Sequence, residues 1–140
     1  MRLHRHAPVA VGLLLAVALS GCSALKPAAE GGVKVTDIDV GRSLTAGKTI
    51  AEATDAFRPA DTFYVSVKTG GSSATATLVA RWTYEDGQVV DESRQDVVAT
   101  GNATVTEFHL SKPNGWPAGG YKVEVLLNGT SAGTRDFKVT

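Results

Sequence analysis

The amino-acid sequence predicts an all-β protein, an antiparallel sandwich of seven or eight strands. From residue 33 onward, apolar side chains recur with a period of two, which is typical of strands with one buried face. No part of that region repeats its apolar residues with a helical period. Turn signals such as Asp86-Gly87 and Asn128-Gly129 divide the apolar runs roughly every 8–12 residues. We therefore expect short strands joined by tight turns.

The first strand begins at residue 33 and is followed by an ambiguous segment. Its apolar residues change phase partway along, which predicts a β-bulge near Thr36 and Asp37. Within residues 41–60, Ile50–Ala53 could form either one helical turn or a short edge strand. We favour the edge strand, followed by a loop that ends at Pro59.

The middle of the chain contains the clearest strands. A strand over residues 62–68 alternates apolar and polar side chains, and a second follows the break at residues 70–73. Its inward face carries Ala76, Leu78, Ala80, Trp82 and Tyr84. The Asp86-Gly87 pair predicts a hairpin, with a return strand starting over residues 88–90. Residues 91–96 are interpreted as a charged edge or loop, and residues 97–99 as another short strand.

The last part of the chain predicts one more strand and a closing hairpin. Alternating residues place Phe108 and Leu110 on one face. Residues 111–120 contain two prolines and three glycines, so we interpret them as a long connection. Two final strands follow on either side of Asn128-Gly129, with Phe137 and Val139 closing the core.

Two features resemble immunoglobulin-like domains. Trp82 is similar to the core tryptophan of such domains, although no cysteine pair accompanies it. Residues 116–121, ending in Tyr121, resemble the tyrosine corner, in which the phenol bonds backbone a few residues upstream. From Phe57 to the end, the chain resembles the small immunoglobulin-like domains of bacterial envelope lipoproteins. The resemblance implies an architecture and not an activity, since such sandwiches have many unrelated functions.

The beginning of the chain predicts a membrane address. Arg2 and Arg5 precede an apolar run over residues 9–19, which is the pattern of a secretory signal peptide. The run is too short for a transmembrane helix, which needs about 20 apolar residues. Leu19, Ser20, Gly21 and Cys22 follow, and this sequence resembles the lipobox of bacterial lipoproteins.

The lipobox resemblance implies cleavage before Cys22 and acylation of that cysteine. It divides the chain into a signal peptide over residues 1–21, an acylated flexible tether over residues 22–32 and a sandwich over residues 33–140. The expected partner of the anchor is the membrane, and Ser23 after the cysteine favours the outer membrane, facing the periplasm. With Cys22 acylated no thiol remains, so disulfides cannot stabilise the fold.

Charge and composition narrow the function classes. Removal of Arg2 and Arg5 leaves 12 basic against 14 acidic residues, a net charge of about −2 with histidine neutral. No strong positive field remains to attract nucleic acid. Residues 41–49 have five residues between their glycines, where a phosphate-binding loop needs four, and no helix of useful length follows. We expect neither a nucleic acid nor a nucleotide as partner.

Other candidate sites are incomplete in the sequence. His109 has Glu107 on the same strand face, but no other histidine or free cysteine follows the signal peptide to complete a zinc site. Tyr64 and Trp116 are the aromatic side chains that could stack on a sugar. The carboxylates at residues 85–86 and 91–92 suggest a calcium site or an acid–base pair, but we read them as solvated hairpin residues. The Asn-X-Ser/Thr matches that begin at residues 102 and 128 are interpreted as turns.

We therefore expect no catalytic residue, metal or cofactor, and no enzymatic activity. The sequence predicts a lipid-anchored envelope protein that acts as a non-catalytic binding or structural module, with an unidentified envelope protein as its partner. The alternative is a periplasmic inhibitor or chaperone-like subunit that binds a protein through a sheet face or edge. We expect docking on an exposed face, the predicted docking face, formed by Val79, Arg81, Glu124 and Leu126.

Overall fold

The computed structural model describes residues 32–71 and 74–140. The predicted signal peptide, the lipobox with Cys22 and nearly all of the tether lie outside the described residues. Within the described ranges the regular elements are nine strands: β1 (Lys34–Leu44), β2 (Ile50–Ala53), β3 (Ala56–Phe57), β4 (Phe63–Gly70), β5 (Ala74–Tyr84), β6 (Gln88–Ala99), β7 (Thr104–Leu110), β8 (Gly119–Leu127) and β9 (Thr130–Val139). No helix in these ranges is long and apolar enough to cross a membrane.

The strands form two sheets that enclose one core. One sheet has the order β2-β1-β4-β7, and the other has the order β3-β9-β8-β5-β6. All pairings are antiparallel except that of β3 with β9, which is parallel. The all-β sandwich predicted from the sequence is confirmed. The nine described strands exceed the predicted seven or eight, because a two-residue strand, β3, follows the short strand β2.

The irregularities predicted near the start of the domain are present. The pairing of β1 with β4 skips a residue between Val35 and Asp37, which confirms the predicted bulge. The Asp37 carboxylate accepts a bond from the Ile38 amide at 3.0 Å, so the local chain direction is fixed there. Ile50–Ala53 is an edge strand on β1, as favoured over the helical turn.

The hairpin of β5 and β6 corrects one sequence interpretation. Residues 91–96 are a charged edge, one of the two alternatives predicted, but they join the predicted strands on either side into the single strand β6, which pairs with β5 between Gln88 and Ala99. The charged side chains are accommodated because β6 ends its sheet and they reach water or partners there. Ser93 Oγ donates to Asp91 at 3.1 Å, and Thr77 Oγ1 donates to Asp96 at 2.9 Å.

The core contains a cluster of aromatic rings around Phe63. This side chain is fully buried, and its ring lies 4.4 Å from that of Trp116, measured between centroids, with 19° between the planes. Four further rings surround it at 4.7–6.1 Å, from Phe57, Trp82, Tyr121 and Phe137. These rings come from both sheets and from the connection before β8, so the cluster joins the two layers. Trp82 is 1% exposed, as its strand phase predicts.

The connection between β7 and β8 is fixed by hydrogen bonds although it contains no strand. The Tyr121 phenol donates to the Pro117 carbonyl at 2.8 Å, which confirms the predicted tyrosine corner. The Tyr84 phenol donates to the next carbonyl, that of Ala118, also at 2.8 Å. The indole N–H of Trp116 donates to the Asp61 carbonyl at 2.9 Å. Strand β8 begins at Gly119, slightly earlier than the sequence indicated.

Candidate functional site

The structure brings together the residues of the predicted docking face, but one of them is not exposed. Val79 and Arg81 of β5 lie opposite Leu126 and Glu124 of β8, so the four residues are neighbours on the outer side of the five-stranded sheet. Leu126, however, is 9% exposed, where the sequence interpretation required an accessible leucine. A register shift between Val125 and Leu126 alters the local geometry of β8. Leu126 therefore offers no apolar surface to a partner.

Arg81 has its charge engaged within the same face. Its Nε atom lies 2.9 Å from the Glu92 carboxylate, and its Nη1 atom lies 3.1 Å from the Glu124 carboxylate. The hydrogen bond and the negative charge of Glu92, with a smaller contribution from Glu124, raise the pKa of Arg81 above its ordinary value. This arrangement joins three adjacent strands and engages the charge of Arg81 within the sheet.

His109 lies on the outer face of the other sheet, next to Tyr64. Its Nδ1 atom is 3.0 Å from a carboxylate oxygen of Glu107, and its ring centroid is 5.7 Å from that of Tyr64. The histidine is exposed, as the sequence predicted. Two potential ligands do not make a metal centre. In the part of the chain that the structure describes, no three or more His, Cys, Asp or Glu side chains are grouped to hold a metal ion.

Glu85, one of the carboxylates that suggested a calcium or acid–base site, has a structural role at the β5–β6 turn. Glu85 accepts a hydrogen bond from the Gly120 amide at 3.1 Å, and its own amide donates to the Gly120 carbonyl at 2.9 Å. This exchange ties the hairpin turn to the start of β8. This contact could not be predicted from the sequence, because the two residues are far apart along the chain.

The most promising binding surface is a groove at the end of the sandwich, here called the corner groove. It has a volume of about 300 Å³. It lies where β5 ends, β6 begins and the connection before β8 crosses over them. The groove is lined by Tyr84, Gln88, Val89, Val90, Lys112, Trp116, Pro117 and Tyr121. Its lining combines valines and aromatic rings with the polar side chains of Gln88 and Lys112, so it suits an apolar group that adjoins polar ones.

The aromatic floor of the corner groove is held in position. The phenols of Tyr84 and Tyr121 both donate to backbone carbonyls of the connection. Trp116 is 5% exposed, so the sequence-based suggestion that it could stack on a sugar is wrong. Instead, the Lys112 ammonium lies 5.8 Å from the centroid of the Trp116 ring, within the range of a cation–π contact. The floor is thus formed before any ligand arrives.

One wall of the corner groove continues into an exposed apolar edge. Val89 is 57% exposed and Val90 is 37% exposed, and Val98 at the other end of β6 is 60% exposed. Among the described residues these are the large apolar side chains left to solvent, and all three belong to β6. The only sequence signal for this surface was the valine pair directly after the Asp86-Gly87 turn.

Comparison with known proteins identifies the architecture. No protein-family model matches the chain, and no curated protein sequence matches it. An immunoglobulin-like protein from Pseudomonas aeruginosa superposes with a TM-score of 0.51 at 16% identity, covering 80% of this chain and 99% of that one. The fold is immunoglobulin-like.

Two further structures share the immunoglobulin-like fold of this chain. The C-terminal domain of wzt superposes with a TM-score of 0.54 at 14% identity, covering 79% of this chain and 74% of that chain. The alkylpurine DNA glycosylase AlkC of Pseudomonas fluorescens, bound to DNA with an abasic site analog, gives 0.53 at 14% identity. There the match covers 78% of this chain but only 30% of the glycosylase. Identities this low establish the immunoglobulin-like fold alone.

Proposed function

We propose that this protein is a lipid-anchored component of a bacterial envelope whose immunoglobulin-like domain is a non-catalytic binding module. The observation that carries the binding role is the preformed corner groove beside the exposed valines of β6. Val89 and Val90 line the groove and extend its apolar surface onto the edge of β6, and apolar surface of this kind favours a binding site. The groove also has the concave shape that ligands require.

The anchoring part of the proposal rests on the beginning of the chain. The basic residues Arg2 and Arg5, the apolar run and the small residues before Cys22 form the pattern that signal peptidase and acyl transfer require. More than one acyl chain gives stable attachment, since burial of each methylene contributes about 0.8 kcal/mol. Fully extended, a tether over residues 23–32 reaches at most about 35 Å from the headgroups. With Ser23 after the cysteine, the outer membrane is the proposed location.

The non-catalytic part is supported by the ionisable groups at the corner groove. The Tyr84 and Tyr121 phenols are committed as hydrogen-bond donors to backbone carbonyls, and Lys112 lies over an aromatic ring. A hydrolytic or transfer site needs a nucleophile and a base within hydrogen-bond reach of each other. His109, which could act as a base, lies with Glu107 on the outer face of the other sheet.

A second candidate function is a periplasmic inhibitor or chaperone-like subunit that holds a protein partner. The observation that favours it is the position of β6 at the end of its sheet order. An edge strand offers unpaired backbone groups to an extended segment of another chain. The two candidates share the same surface and differ in what the bound partner does afterwards.

The anchor is tested by replacing its cysteine. We expect the wild-type protein to begin at an acylated Cys22 and Cys22→Ser to lose both the lipid and the cleavage before residue 22. Mass spectrometry of the N-terminal peptide measures both. An unmodified Cys22, or an intact Met1 in the wild-type protein, would contradict the anchor.

The binding role is tested by photo-crosslinking in the native envelope. A photoreactive residue is placed at Val89, beside the corner groove, and in a separate variant at Thr134, which is exposed on β9 of the same sheet. We expect a discrete crosslinked species from position 89 and none from position 134. Equal crosslinking from both positions, or none from either, contradicts a binding site at the groove.

A further inference from the structure

We propose that the partner is bound as an added β-strand on the free edge of β6. The occupant is an extended polypeptide segment that is basic in its middle and places an apolar side chain in the corner groove. This inference rests on the proposed binding role and specifies its chemistry. It is carried by four features of β6: a free edge, apolar ends, an acidic middle and a groove at one end.

The edge of β6 is long and has one irregularity near its start, where the pairing with β5 skips Val90. Apart from Val90, the strand pairs with β5 from Gln88 to Ala99, and no described strand pairs with its other side. Half of its backbone N–H and C=O groups therefore point outward, because the groups of a strand alternate between its two neighbours. The Gln95 side chain donates to the Glu107 carbonyl of β7 at 2.6 Å. This bond fixes β6 against the other sheet, so the edge is held in place.

The two ends of β6 are apolar and the corner groove adjoins only the first. Val89 and Val90 form one wall of the groove, opposite the rings of Tyr84 and Trp116. Val98 lies at the far end and is equally exposed. Strand addition at a sheet edge commonly gains affinity from backbone hydrogen bonds and specificity from pockets for individual side chains. The groove is such a pocket, at the end of the added strand.

The middle of β6 determines the charge of the added strand. Gln88–Ala99 contains three carboxylates and one guanidinium, a net charge of −2. Glu92 is bound to Arg81, and Asp96 lies 3.8 Å from Arg94. Asp91 accepts a bond from Ser93 and pairs with no cation in the part of the chain that the structure describes. Lysine or arginine on the added strand would lie opposite these groups, and cross-strand pairs of opposite charge are favourable.

The same charges argue against a second copy of this chain as the occupant. Two β6 edges in antiparallel contact would bring six carboxylates and two guanidinium groups into one ladder, since each copy contributes three and one. Like charges across a ladder are destabilising, and natural edge strands use charge to prevent such self-association. The acidic middle of β6 therefore disfavours pairing with an identical strand and favours pairing with a basic strand.

The probe for this inference is a synthetic peptide as long as β6 and blocked at both ends. It alternates threonine with lysine and carries one phenylalanine near an end. Matched peptides replace lysine by glutamate, or phenylalanine by alanine. The full chain, purified in detergent as cells produce it, is titrated while tryptophan fluorescence is recorded, because Trp116 lines the groove and the peptide has no tryptophan. Hydrogen exchange of the β6 amides reports on backbone pairing.

We expect saturable binding of the basic peptide below about 1 mM, with slowed exchange along β6. Removal of the phenylalanine should weaken binding about tenfold or more, which corresponds to the loss of one buried apolar side chain. The glutamate peptide should not bind. Val89→Lys should weaken binding of the basic peptide, whereas Thr134→Lys, exposed on β9 of the same sheet, should leave it unchanged.

Three results would overturn strand addition at β6. They are no saturable binding, equal binding of the glutamate peptide, and a fluorescence change without protection of the β6 amides. The last would indicate a ligand in the groove alone. None of these results concerns the lipid anchor, because the anchor is measured separately at Cys22. A protein that binds the peptide but carries no acyl chain would retain this inference and lose the proposed anchor.

Discussion

Replacement of Phe63 by alanine should be among the most destabilising single changes in the domain. The side chain is fully buried, and five other aromatic rings lie within 6.1 Å of its centroid. Truncation of a core phenylalanine typically costs about 3–5 kcal/mol. Because the rings around Phe63 come from four strands of the opposite sheet and from the connection before β8, they cannot all collapse into the space it leaves. We therefore expect a loss at the upper end, about 4–5 kcal/mol.

Thermal and urea denaturation of the full chain measure this loss. At about 4 °C per kcal/mol for a domain of this size, Phe63→Ala should lower Tm by roughly 16–20 °C. Phe63→Leu retains most of the apolar volume and should cost only about 1–2 kcal/mol. Tyr64→Ala is the matched control, since the next residue on β4 is half-buried on the outer face. If Phe63→Ala melted no lower than Tyr64→Ala, the two-layer packing described for Phe63 would be refuted.

Three further changes test other parts of the structure by urea denaturation. Trp82→Ala should lower the free energy of unfolding by about 3–5 kcal/mol. Trp82→Phe should lower it clearly less, because the buried indole N–H that this change removes has no acceptor among the described residues. Equal losses from the two variants would contradict this expectation. Burial raises the pKa of Tyr121 above its ordinary value of 10.0. The unfolded chain therefore releases the phenolic proton at a lower pH than the folded chain, and the free energy of unfolding should fall as pH rises through 10. Tyr121→Phe, which also loses the bond to Pro117, should flatten this fall between about pH 8 and about pH 11. Leu126→Asp should cost about 2–4 kcal/mol, since it buries a carboxylate; an unchanged Tm would restore the docking face predicted from the sequence.

The strands were predictable where one periodic pattern dominates. The alternation through Trp82, the turn at residues 86–87 and the phase change near Thr36 each have a local cause, so the sequence alone indicated them. The continuity of β6 was not predictable in this way. Its charged middle resembles a loop in composition, and only the eleven residues of β5 beside it explain why it stays extended.

The binding surface was less predictable than the fold because it is assembled from distant segments. The corner groove combines residues from β5, β6 and the connection before β8, and no short motif marks it. Leu126 shows a different failure, since its strand phase predicted a solvent-exposed side chain whereas the structure buries it, beside a register shift in β8. The bond from Arg42 to the Ala56 carbonyl, at 2.9 Å, was also not predictable from the sequence, because it depends on how β1 and β3 are brought together.

The bonds that fix the connection before β8 have a consequence for how this region moves. The Trp116 amide donates to the Pro59 carbonyl at 2.8 Å, and the side chains of Trp116, Tyr84 and Tyr121 add three more bonds to the backbone around it. Within the connection the amides of Gly115 and Trp116 are bonded, to the Lys112 and Pro59 carbonyls, so these two amides should exchange with solvent as slowly as those of the central strands. Proteases should not cut there in the native state. A ligand in the groove then loses little affinity to ordering the loop, since the loop is already ordered.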